Sequence, residues 1–76
     1  MEKVVVALLR GGGRVESEEL DEARARAELA RIHGELAEGR TNKFVQIGEN
    51  AIINIEDLDR IFIEDAQRAE SDHAPR

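Results

Sequence analysis

Between Lys43 and Asp65 the chain reads KFVQIGENAIINIEDLDRIFIED, three short apolar runs separated by two polar breaks. Val45 and Ile47, then Ala51, Ile53 and Ile55, then Ile61 and Ile63 alternate with Phe44, Gln46, Ile52, Asn54, Arg60, Phe62 and Glu64. Successive side chains of a strand point to opposite faces, so this spacing builds one apolar face across three antiparallel strands. Gly48-Glu49-Asn50 supplies the first turn, because Gly and Asn tolerate positive φ, and Glu56 to Asp59 supplies the second. The opposite face still holds Phe44, Ile52 and Phe62. A single helix on the first face leaves these three in water, and exposed apolar patches of that kind mark partner surfaces.

Upstream, Val4 to Leu9 is an apolar, β-branched run bounded by Arg10 and the triple glycine Gly11, Gly12 and Gly13. That is the pattern of a strand entering a tight turn, with Arg14, Val15 and Glu16 returning as a short second strand. Ser17 reads as a helix N-cap, followed by Glu18, Glu19, Asp21 and Glu22, whose carboxylates suit the positive end of a helix dipole. The helix should run to Ala37 or Glu38, with Gly39 at the left-handed position after it and Arg40 just beyond. At about 100° per residue, Ala25, Leu29, Ile32 and Leu36 share the core side. Leu20, Ala23, Ala27 and Ala30 fall largely opposite, as solvent-facing small residues or as a close helix–helix contact.

Seventy-six residues make one domain, and a domain this small buries only roughly 60% of the surface its unfolded chain exposes. Small scaffolds compensate with disulfides, a metal or a partner subunit. The chain has no cysteine, and His33 and His73 are its only imidazoles. Homo-oligomerisation is therefore the expected supplement, with no metal and no cofactor. The domain is expected to span residues 1–65, followed by a mobile polar tail over 66–76 that lacks apolar periodicity.

The six apolar residues between Lys3 and Arg10 are too few for a membrane span or a signal peptide, so a soluble, cytoplasmic chain is expected. The formal net charge of −6 is concentrated, with three arginines against seven acids from Ser17 to Gly39 and three bases against six acids from Arg40 to Asp65. Nucleic-acid binding draws on clustered Lys and Arg, and the sequence shows no such cluster.

Arg10-Gly11-Gly12-Gly13-Arg14 reads first as a hairpin turn and second as an anion cradle of backbone amides and two guanidiniums. It lacks the Lys-Ser/Thr of a phosphate loop and the spacing of a dinucleotide fingerprint. Glu56, Asp57 and Asp59 resemble a fragment of a cation loop without the calcium-loop spacing, and a solvated turn with Leu58 pointing inward is the plainer reading. Asn54, just before that turn, is placed to bond nearby backbone and fix the reversal. His33 borders the core stripe without a second ligand near it. Ser17 and Ser71 lack a nucleophile setting, and paired carboxylates need a cleft that a single-helix domain hardly provides, so no catalytic residue is assigned.

The succession of strand, glycine turn, strand and acidic-start helix, then Phe44-Val45-x-Ile47-Gly48 followed by Ile53-Asn54 and Ile61, is similar to small proteins of actinobacteria and their phages that have no assigned activity. The resemblance covers residues 4–64 and implies a phage-related origin without a catalytic site.

These readings converge on an α+β fold, one helix on one face of a four- or five-stranded antiparallel sheet in the order ββαβββ. The expected function is that of a non-enzymatic, homo-oligomeric accessory protein that binds a host protein or sequesters a small ligand. Its interface would use Phe44, Ile52, Phe62, Ala23 and Ala27. The alternative is a nucleic-acid-binding regulator that brings Arg10, Arg14, Arg40 and Arg60 together by assembly.

Overall fold

The computed structural model describes residues 2–38 and 43–66. Gly39, Arg40 and the tail from 67 onward lie outside the described residues. The elements follow the expected order: β1 (Lys3–Leu9), β2 (Arg14–Glu16), α1 (Glu22–Glu38), β3 (Phe44–Ile47), β4 (Ala51–Asn54), a 3₁₀ turn (Ile55–Asp57) and β5 (Leu58–Asp65).

The expected single sheet is in fact two. β2, β1 and β5 form a three-stranded antiparallel sheet with β1 in the centre, and β3 and β4 form a separate hairpin. The division comes at Asn54, whose side-chain oxygen accepts from the Glu56 amide at 2.9 Å and opens the 3₁₀ turn. The chain reverses there, and β5 then pairs with β1, from Lys3 opposite Asp65 to Leu9 opposite Leu58, rather than with β4. The last strand is an edge, as the sequence suggested.

The β1–β2 turn is a hairpin. Gly12 N–H donates to the Leu9 carbonyl and Leu9 N–H to the Gly13 carbonyl, each at 2.9 Å. Gly12 takes φ of 101°, the positive value that three-residue hairpin loops require at their closing position.

The helix starts later than the acidic run implied. Asp21 is the cap, accepting from the Arg24 amide at 2.8 Å through its side chain and from the Ala25 amide through its carbonyl. Ser17 instead extends the β1–β2 ladder: its amide donates to the Val5 carbonyl, and its hydroxyl accepts from the Val5 amide at 2.9 Å where a backbone carbonyl would ordinarily serve. Pairing resumes at Lys3 and Leu20, one residue out of step with Val6 and Glu16. The segment is thus a bulge, and Ser17 is buried in it.

The core lies between α1 and the two sheets. Val5 and Ala7 of β1, Ala25 and Ile32 of α1, and Val45, Ile47 and Ile53 of the hairpin are buried together, with Leu20 closing one end. Leu29, Leu36, Ile61 and Ile63 pack around them half-buried. Each fully buried Val or Ile side chain of this set contributes about 1.5–3 kcal/mol.

Candidate functional site

The hairpin turn is held by acids from elsewhere in the chain. Gly48 N–H donates to Glu28 Oε2 at 2.7 Å and Glu49 N–H to Glu18 Oε1 at 2.9 Å. Glu28 also pairs with Arg31, which donates onward to Glu35 and to the Gln46 carbonyl at 2.6 Å each. The bond from Arg31 holds the Glu28 carboxyl below its ordinary value and the Gly48 amide adds to this, while partial burial opposes both. This network fixes β3 against α1. It also places Gln46 and Phe44 on one outer edge and face of the hairpin.

That outer face carries Phe44 and Ile52, 57% and 68% exposed. Phe44 lies opposite Asn54 and Gln46 opposite Ile52, so the two large side chains are diagonal neighbours across the β3–β4 ladder. Phe62 is not part of the same sheet. It is half-buried on β5 opposite Val6, on the side of the three-stranded sheet that α1 does not cover. Ala23 and Ala27 are exposed on the outer side of α1. The five residues predicted as an interface therefore sit on three separate surfaces.

The two arginines flanking the glycine turn have other partners. Arg14 bonds Glu16 at 2.7 Å and Glu64 at 3.1 Å, spanning β1 from β2 to β5. Register places Arg14 opposite Leu8 and Glu64 opposite Val4, so the pair passes over Val6 and helps bury it on the face that α1 does not cover. Arg10 points the other way, toward the Leu58 carbonyl at 3.4 Å, and its amide donates to the Asp57 carbonyl. Gly11, Gly12 and Gly13 thus close a turn whose guanidiniums diverge. Among the described residues no three His, Asp or Glu side chains are grouped to hold a metal, and no helix is long and apolar enough to cross a membrane.

A feature invisible in the sequence is an open groove of about 520 Å³ between α1 and β5, lined by Lys3, Glu22, Arg26, Leu29, Ala30, His33 and Ile63. Its floor is apolar and its rim is charged. Lys3 is paired with Asp65, which raises the lysine above its ordinary value, and Glu22 is held below its own by Arg26. Lys3 and His33 are thirty positions apart, so only the sheet–helix packing brings them together. The volume falls within the usual range for small-molecule clefts.

Comparison of the chain with known protein families, with curated proteins and with solved structures finds no match.

Proposed function

We propose that the chain is a small, phage-related accessory protein that acts by binding another protein, and that the outer face of the β3–β4 hairpin is the surface it offers. The observation that carries this reading is the exposure of Phe44 and Ile52 on a hairpin whose inner residues Val45, Ile47 and Ile53 are buried. Large aromatic and aliphatic anchors of this sort supply most of the energy of protein interfaces when a partner covers them. At about 1.5–3 kcal/mol per covered side chain, removing both lowers affinity by roughly 100-fold or more.

The test compares capture from host-cell lysate by the wild type and by a Phe44→Ser/Ile52→Ser variant with the same melting temperature. A protein enriched by the first and lost with the second is expected. Identical capture profiles for the two would reject the hairpin face as the binding surface.

The groove beside β5 favours a second reading, sequestration of a small anionic ligand with an apolar body. Lys3, Arg26 and His33 would meet the anion while Leu29, Ala30 and Ile63 hold the remainder. Native mass spectrometry of protein purified from its own host reads retained ligand directly, and an Arg26→Ala variant should lose that mass.

A further inference from the structure

We propose that β5 pairs with β5 of a second copy of this chain, antiparallel and centred on Phe62, to form a continuous six-stranded sheet. This seam is separate from the hairpin surface, which lies on the other sheet.

The direction of the backbone groups sets which side of β5 is open. Val5 exchanges its bonds with Ser17, and Leu9 N–H donates to Gly13, so the odd-numbered residues of β1 bond toward β2. In an antiparallel strand the next residues bond to the other side. Val4, Val6 and Leu8 therefore bond toward Glu64, Phe62 and Arg60 of β5, their register partners. The N–H and C=O groups of Ile61 and Ile63 are turned outward, and among the described residues no strand pairs with that side of β5.

At eight residues β5 is the longest strand among the described residues, and proteins usually shorten or block such an edge. The edge of β3 is blocked here: the Ile55 amide donates to Lys43 on the inner side, which turns the Gln46 carbonyl outward, and Arg31 covers it. Among the described residues β5 has no equivalent cover.

Its side-chain pattern fits its own copy. A two-fold axis at Phe62 pairs Ile61 with the second copy's residue at position 63 through the outward backbone groups, as the parity requires. On the helix side of the sheet, Ile61 and Ile63 then extend each other's apolar row. On the other face Arg60 lies opposite Glu64 of the second copy, twice by symmetry, and Phe62 lies opposite itself. Glu64 then joins Arg14 and the incoming Arg60. The same register sets Asp59 opposite Asp65, and Lys3, already bonded to Asp65, offsets that repulsion. The two grooves lined by Leu29, Ala30 and Ile63 face each other across the axis.

The chain has no native cysteine, so single substitutions read the register directly. At a non-hydrogen-bonded pair the Cα atoms are about 4.5 Å apart, within disulfide range. Phe62→Cys should give a covalent dimer on mild oxidation. Arg60→Cys should not, because each position 60 lies about 13 Å from its copy along the strands. For the unmodified chain, native mass spectrometry at tens of micromolar should show a dimer, and hydrogen exchange at the Ile61 and Ile63 amides should slow as concentration rises. Phe44→Ser/Ile52→Ser should leave that dimer intact. A wild-type monomer with fast, concentration-independent exchange at both amides overturns the proposal, as does cross-linking through Phe44→Cys in place of Phe62→Cys.

Discussion

Replacing glycine by alanine at two places in this chain should change stability in opposite directions. Gly48 sits at φ of 63° in the hairpin turn, and a Cβ built there meets Glu18 Oε1, Ser17 Cβ at 2.7 Å and Ser17 Cα at 3.2 Å. The left-handed conformation alone costs an L-residue about 1–2 kcal/mol. Ser17 cannot retreat easily, since both its amide and its hydroxyl are bonded to Val5. Overpacking against such an anchored neighbour adds about 1–3 kcal/mol. Gly48→Ala should therefore lose about 3 kcal/mol, which for a domain of this size lowers Tm by roughly 12–24 °C. Gly34 is the contrast: it is an exposed helix position with nothing within 4 Å of a built Cβ, and no positive φ. Gly34→Ala should gain about 0.5–1 kcal/mol and raise Tm by a few degrees. Thermal unfolding followed by circular dichroism checks both. A Gly48→Ala protein melting within about 4 °C of the wild type would refute the turn geometry argued here. A destabilised Gly34→Ala protein would instead show that the outer face of α1 is covered by another molecule.

Two further outcomes follow from the polar contacts that tie the layers together. Ser17→Ala leaves the Val5 amide buried without its acceptor, so urea unfolding should show a loss of about 1–3 kcal/mol, and a loss under 0.5 kcal/mol would mean the bulge recruits another acceptor. The Glu28 side chain is 18% exposed and its pKa is lowered in the folded state. The carboxylate thus contributes stability above the unfolded carboxyl value of about 4.3, and that contribution fades as pH falls through the lower folded value. Wild type should exceed Glu28→Gln in Tm at pH 7, and the gap should narrow as pH falls below the unfolded carboxyl value; a gap that widens on acidification would contradict this sign.

Much of the architecture was readable from local pattern. Period-two alternation located β3, β4 and β5, the triple glycine located the first hairpin, and Asn54 was read as the residue that fixes the second reversal. What escaped was decided by contacts distant in sequence. Ser17 and Asp21 are both good caps by residue type, and the choice between them was made by Leu20, whose burial against Lys3 keeps the chain extended through position 20. The separation into two sheets was equally nonlocal, because β5 could satisfy its ladder with β4 or with β1, and alternation alone does not distinguish them. The groove had no sequence signal at all, since its rim joins residues of β1, α1 and β5. Phe62 was correctly placed off the helix-facing side, but its distance from the Phe44 and Ile52 face depended on which strand β5 chose.

That choice bears on why Phe44 and Ile52 stay outside. Burying them by sliding β3 and β4 one residue would turn Val45, Ile47 and Ile53 outward, since a one-residue slip exchanges the two faces of a strand. The slip would exchange three buried side chains, Val45, Ile47 and Ile53, for two, Phe44 and Ile52, at about 1.5–3 kcal/mol each, and it would turn the Gln46 and Asn54 amides inward as well. The turn also resists the slip, because Gly48 and Glu49 are bonded by Glu28 and Glu18 in one register only. Among the described residues, no shift of register covers this face without uncovering the core. The same contacts that hold the core in place therefore keep Phe44 and Ile52 exposed, which is the arrangement the proposed partner surface needs.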